Sequence, residues 1–102
     1  MEPVYRLVYL VHPKPAHPDY GRVDGAYASC WLKEPVLEAA DAAARAFLDE
    51  HDWDVEEHDE TYLVSAETCP PGAEGREYFE QVQLDGLVTV FYTWPVGAPE
   101  EE

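Results

Sequence analysis

The residues best suited to chemistry lie in one proline-rich segment near the start of the chain, HPKPAHPDY. It contains His12 and His17, five positions apart, followed closely by Asp19. Imidazole nitrogens and a carboxylate can bind a transition metal or exchange a proton, and a backbone stiffened by proline lowers the entropy cost of holding them in place. These three residues are the predicted metal site. The alternative is a solvated connector whose rings pack against the edge of a sheet.

The usual sequence signatures of catalysis are missing. The chain has no glycine-rich phosphate loop, no G-x-S-x-G nucleophile elbow, no H-E-x-x-H and no paired C-x-x-C. We therefore predict no catalytic residue and no cofactor. Cys30 lies in an apolar segment and is predicted to be a buried thiol, whereas Cys69 precedes two prolines and is predicted to be exposed.

Aromatic side chains supply the second candidate site. They make up 13% of the chain, which exceeds what one face of a small sheet needs if helices cover only that face. An exposed aromatic face is a candidate protein-binding surface, most simply a homodimer interface. The predicted contact residues are Trp31, Trp94, Tyr92 and Tyr9. The alternative is that loop 12–22 and the C-terminal tail fold across this face.

Charge restricts the class of partner. Six Lys and Arg residues against 22 Asp and Glu residues give a net charge of −16 at pH 7. This charge repels phosphate backbones and anionic membrane surfaces, so we predict neither a nucleic-acid partner nor a membrane partner. It attracts a basic protein or a cation, although surface acidity also serves solubility. With no signal peptide and no long apolar run, the predicted location is the cytoplasm.

The elements that would position these residues follow from periodicity and turn signals. The predicted strands are residues 4–11, 26–33, 53–57 and 87–94, because β-branched and aromatic residues are concentrated there. The predicted helices are residues 35–50 and 75–84. In the first of them Pro35 suits the first turn, and an alanine-rich run gives high helix propensity.

Together these elements predict a single α+β domain over residues 1–102, with 95–102 as a frayed tail. The predicted sheet has four or five mostly antiparallel strands, with both helices on one face. If HDE at 58–60 is a tight turn, residues 26–94 spell βαββαβ, the ferredoxin-like order, and residues 4–11 add an extra N-terminal strand. The alternative is one long bent strand from Trp53 onward.

The predicted function is that of a small acidic interaction or regulatory module without catalytic activity. Aromatic and acidic residues are abundant, and they suit the contact surface of a protein partner or a homodimer. The alternative is a small metal-binding protein or enzyme with its site in loop 12–22. The ferredoxin-like order does not choose between them, since it hosts many unrelated activities.

Overall fold

The computed structural model describes residues 1–95. In chain order the elements are β1 (Val4–Pro13), β2 (Val23–Leu32), α1 (Leu37–Glu50), β3 (Trp53–Val64), α2 (Arg76–Asp85) and β4 (Leu87–Pro95). The four strands form one antiparallel sheet in the order β3-β1-β2-β4. The predicted α+β class is therefore confirmed. The predicted tail lies outside the described residues except for Pro95, which ends β4.

The ferredoxin-like connectivity with an extra N-terminal strand is not confirmed. β3 is one continuous strand, and its pairing with β1 shifts register between Val8 and Tyr9 and again between Leu10 and Val11. The HDE segment contains no glycine or proline to form a tight turn, so the strand continues through it. The two register shifts accommodate residues of β3 that have no partner on β1. β1 is not an added strand either. It lies between β3 and β2, where side chains on both of its faces are buried.

α1 covers one face of the sheet. Side chains alternate along each strand, and Leu7 and Tyr9 of β1 share a face with Cys30 of β2. Ala44 and Leu48 of α1 are fully buried against this face. The helix starts at residue 37 rather than 35, because residue 36 is still extended (φ −132°, ψ 151°). Small alanines on the buried side of α1 let the helix approach the sheet closely.

α2 packs on the opposite face, so the prediction that both helices share one face is wrong. Phe79 and Val82 of α2 are buried against Val4 and Trp31, which point away from α1. The face beneath α1 is already filled, and α2 instead buries apolar side chains that would otherwise be exposed to water. Within residues 1–95, no helix is both long and apolar enough to span a membrane.

Candidate functional site

A groove on the α2 face of the sheet is the candidate functional site, and we call it the Arg6 groove. It consists of two adjoining depressions, of about 430 Å³ and 280 Å³, that share Arg6, Ser29 and Tyr92. Tyr78, in the first turn of α2, closes one end, and Tyr27 of β2 lies at the other. The groove exists because α2 covers only the end of this face that carries Val4 and Trp31.

Strand register places Arg6 at the middle of the groove. On β1 it lies directly opposite Trp31 of β2 and Tyr62 of β3. Its guanidinium carbon is 5.6 Å from the Trp31 ring centroid and 5.2 Å from that of Tyr62, distances at which a cation is attracted to an aromatic face. Its Nε donates a hydrogen bond to Ser29 Oγ at 2.9 Å. These three contacts hold the guanidinium in one place.

Arg6 is also the one Lys or Arg side chain of residues 1–95 that has no carboxylate at ion-pair distance. The other five Lys and Arg residues each have a partner: Lys14 with Asp49, Arg22 with Asp19, Lys33 with Glu2, Arg45 with Asp41, and Arg76 with Glu80. Glu60 lines the groove but accepts a hydrogen bond from the Tyr62 hydroxyl at 2.6 Å instead. That carboxylate raises the pKa of Tyr62. Among 22 acidic residues, none described pairs with Arg6.

Tyrosine rings surround this arginine and are open to solvent. The exposed fraction is 41% for Tyr27, 42% for Tyr62 and 56% for Tyr92. Tyr27 and Tyr92 are cross-strand neighbours on β2 and β4, so their rings stand side by side on one face. Exposed tyrosine beside arginine is the composition that protein-binding surfaces favour.

Three of the four predicted contact residues lie on the groove face. Tyr92 is exposed there, and Trp94 packs against Tyr27 with ring centroids 5.6 Å apart. Trp31 is on the same face but only 5% exposed, since Tyr78 and the segment before α2 cover it. The structure therefore places Trp31 in the floor of the groove, beneath its contact surface.

Tyr9, the fourth predicted contact residue, lies on the other face. It is fully buried beneath α1, and its hydroxyl donates to Asp41 Oδ1 at 2.6 Å. Burial, reinforced by the hydrogen bond to Asp41, raises the pKa of Tyr9 well above its ordinary value. The alternation of the strand explains the difference, because odd-numbered residues of β1 face α1 while Arg6 and Val8 face the groove.

Comparison with known proteins identifies no family for this chain. No protein-family model matches it, and no curated protein and no solved structure matches it. No residue role can therefore be transferred from a relative. Distance, exposure and charge within the described residues single out the Arg6 groove, where one unpaired cation and three exposed rings converge.

A second polar cluster joins α1 to β3. Burial raises the pKa of Asp41, but hydrogen bonds from Tyr9 and Arg45 outweigh it and hold that pKa below the ordinary value. His58 Nδ1 is 3.8 Å from Asp41 Oδ1, and its Nε2 is 2.9 Å from Thr61 Oγ1. The order Thr, His, Asp is that of a nucleophile triad, yet 3.8 Å exceeds hydrogen-bond length and Asp41 already has two donors. The cluster serves to fasten the helix to the strand.

The three residues predicted to bind a metal each have a different neighbour. His12 lies inside β1 rather than in the loop, because a proline is tolerated as the last residue of a strand. The His17 ring packs against Trp53 at 4.4 Å, and Asp19 pairs with Arg22 at 2.6 Å. In the part of the chain that the structure describes, no three His, Cys, Asp or Glu side chains are placed to hold a metal. A metal site in loop 12–22 stays a prediction.

The two thiols are both buried. Burial raises the pKa of Cys30 to about 11, so this cysteine is a protonated core residue at neutral pH. The prediction that Cys69 is exposed is wrong, since only 4% of its surface is accessible. It packs against Phe79 and Val82 of α2, and its backbone N–H donates to the Ser65 carbonyl at 2.9 Å. A turn of the chain after β3 thus folds the cysteine inward.

His12 provides a test of the electrostatics at the strand edge. The Asp24 carbonyl and the Glu56 carboxylate both accept hydrogen bonds from its ring, which requires both nitrogens to be protonated and raises its pKa. The stabilisation is therefore fully present below the unfolded-state pKa of about 6.5 and is lost as the pH rises through the folded-state pKa. His12→Gln should cost up to about 1 kcal/mol at low pH, because half-exposed pairs are screened by water, and less at high pH.

Urea unfolding of the wild type and of His12→Gln across this pH range measures the difference. Glu56→Gln is the matched control, since it removes the charge on one acceptor and should lower the His12 pKa seen by NMR while the Asp24 carbonyl remains. A cost that is the same at low and high pH would contradict the protonated state of His12.

Arg6, Ser29, Tyr27 and Tyr62 are site residues that the sequence analysis did not identify. One signal was available: Arg6 is the single charge within VYRLVYLV, the first predicted strand. A lone charge in an otherwise apolar strand is paired, stacked, or turned toward solvent or a ligand. The stacking depends on Tyr62 of β3, whose register with β1 is known only from the fold.

Proposed function

We propose that this chain is a non-catalytic protein-interaction module whose partner binds in the Arg6 groove. The observation that supports the proposal is the arrangement of three exposed tyrosines around an arginine that has no carboxylate partner within residues 1–95. Tyrosine, tryptophan and arginine are the residues that most often dominate the energy of protein interfaces, particularly at the centre of a contact. The partner is another protein or a second copy of this chain.

The exposed tyrosine rings of the groove favour the binding of a partner there. Within residues 1–95 no element covers Tyr27 and Tyr92, and their rings remain in contact with water. Each 100 Å² of apolar surface removed from water contributes about 2.5 kcal/mol before the costs of association. Acidic side chains at both ends of the groove, Glu74 and Glu60, would steer a partner that is basic outside its contact surface.

The proposed location is the cytoplasm. Both cysteines are free thiols in the structure. Free thiols persist in reducing compartments, whereas secreted domains of this size commonly carry disulfides. A cytoplasmic protein partner suits this chemistry.

Loss of binding on truncation of two tyrosines tests the proposal. In Tyr27→Ala/Tyr92→Ala the rings are removed but the core is untouched, so the fold should persist while affinity for the partner falls at least about tenfold. Affinity capture from the native lysate, quantified by mass spectrometry, compares this variant with the wild type. Tyr20→Ala is the matched control, since Tyr20 is 56% exposed, as is Tyr92, but lies outside the groove.

The expected result is a protein retained by the wild type and by Tyr20→Ala and lost from the double variant. Retention of the same proteins by the double variant would contradict a binding site at the Arg6 groove.

A further inference from the structure

We infer that the Arg6 groove recognises a carboxylate attached to an aromatic or apolar group, with the guanidinium of Arg6 holding it through paired hydrogen bonds. This inference rests on the proposed function and names the chemistry that its partner must present. The carboxylate is either a chain terminus or an Asp or Glu side chain of the partner.

Arg6 has donors that are free to bind a carboxylate. Its Nε is occupied by Ser29 Oγ at 2.9 Å, and Ser29 is itself only 3% exposed. In residues 1–95 neither terminal nitrogen of Arg6 has a hydrogen-bond acceptor. These two nitrogens present parallel N–H donors, a spacing that matches the two oxygens of a carboxylate.

The guanidinium of Arg6 is preorganised for binding. The rings of Trp31 and Tyr62 flank the guanidinium, and the bond to Ser29 fixes its rotation. An arginine that is already ordered loses little conformational entropy when it binds, so more of the hydrogen-bond energy contributes to affinity. Partial burial of Arg6 among aromatic rings also lowers the local dielectric and strengthens its attraction to an anion.

The charges around Arg6 favour a carboxylate over other anions. Carboxylates line the groove on both sides of Arg6, with Glu74 and Glu77 near α2 and Asp59 and Glu60 toward β3. They repel a second negative charge, so a phosphate dianion is disfavoured relative to a singly charged carboxylate. A ligand with one carboxylate can place its single negative charge at Arg6, so that no second negative charge faces the surrounding acidic side chains.

The aromatic rings of the groove favour a ligand whose carboxylate is bonded to an apolar or aromatic group. Tyr92 lies beside Arg6 in both depressions, with Tyr27 at one end and Tyr78 at the other. Aromatic rings pack favourably against apolar and aromatic groups in offset or edge contacts. A carboxylate bonded to such a group would fill the groove on either side of Arg6.

NMR titration of the full chain with matched pairs of small probes tests the inference. N-acetyltyrosine carries a main-chain carboxylate, and N-acetyltyrosinamide is its neutral counterpart. The dipeptide acetyl-Asp-Tyr-amide carries a side-chain carboxylate, and acetyl-Asn-Tyr-amide is its neutral counterpart. Inorganic phosphate is the competing anion. The expected result is that at least one carboxylate binds on the order of tenfold more tightly than its amide and shifts the Arg6 Nε–H signal.

Two substitutions of Arg6 complete the test. Arg6→Lys keeps the charge but loses the paired donors, and Arg6→Gln loses both. Both should remain folded by circular dichroism, and both should lose the preference for carboxylate over amide. Whichever carboxylate binds more tightly identifies the source as a chain terminus or a side chain.

The inference is overturned if no probe binds, if the amides bind as well as the acids, if phosphate binds more tightly than either carboxylate, or if Arg6→Gln keeps the preference. Lysate capture separates this failure from failure of the proposed function. A partner that Arg6→Gln retains and Tyr27→Ala/Tyr92→Ala loses would leave the interaction module standing without the carboxylate.

Discussion

Phe79→Ala is expected to lower the free energy of unfolding by about 3–5 kcal/mol, the usual cost of truncating a fully buried phenylalanine. Phe79 is 0% exposed and packs with Val82 against Val4 and Trp31. This cluster is small and lies apart from the larger core beneath α1, so few neighbours can move in to fill the cavity. Urea unfolding followed by circular dichroism measures the change.

The same substitution should also disturb the Arg6 groove. α2 and the segment before it form one wall of the groove, and Phe79 anchors that helix to the sheet. Loosening of α2 should raise the exposure of Trp31, detected as increased quenching of tryptophan fluorescence by acrylamide. The structure therefore ties the shape of the groove to the packing of one side chain.

Leu84→Ala is the matched control on the same helix. Leu84 is 82% exposed, so its truncation removes few contacts and should change the unfolding free energy by less than about 0.5 kcal/mol. Equal effects of the two substitutions, or a cost below about 1 kcal/mol for Phe79→Ala, would contradict the packing of α2 described above.

The positions of the secondary structure elements were predictable because periodicity is local. All six predicted segments overlap the observed elements, including β4, where a run of β-branched and aromatic residues ends at a proline. The face that each helix covers was not predictable in this way. β1 is apolar on both faces. On one face Val4 contacts α2 and Val8 lines the groove, and on the other Leu7 and Tyr9 pack beneath α1. Such a strand accepts a helix on either face.

The candidate site was predictable only in part, for a related reason. Composition indicates that aromatic rings must occupy a second sheet face, and Tyr92 and Trp94 do lie there. The importance of Arg6 depends instead on what lies beside it. It is set by the register of β1 with both neighbouring strands and by the pairing of every other Lys and Arg side chain with an acid. The strand register and the ion pairs of Lys14 and Lys33 join residues far apart in the chain, and local sequence patterns do not show them.

Self-association is expected to strengthen as the salt concentration rises, if the occupant of the groove is a second copy of this chain. Each chain carries a net charge of −16, so two copies repel one another at low ionic strength. The Debye length falls from about 10 Å at 0.1 M salt to about 3 Å at 1 M, which removes most of this repulsion. The apolar contact between tyrosine rings is not screened. The dissociation constant of the dimer should therefore fall on the order of tenfold across this range.

Sedimentation equilibrium at low and high salt measures the effect, with Tyr27→Ala/Tyr92→Ala expected to remain monomeric and Tyr20→Ala expected to behave as the wild type. Salt also weakens an ion pair between Arg6 and a carboxylate of the second copy, which acts in the opposite direction. Repulsion should dominate, because one such pair per chain competes with sixteen net charges on each. A dissociation constant that rises with salt would contradict the dominance of charge repulsion and would indicate that the ion pair of Arg6 holds the dimer together. A monomer in both buffers would exclude the second copy and leave another protein as the partner.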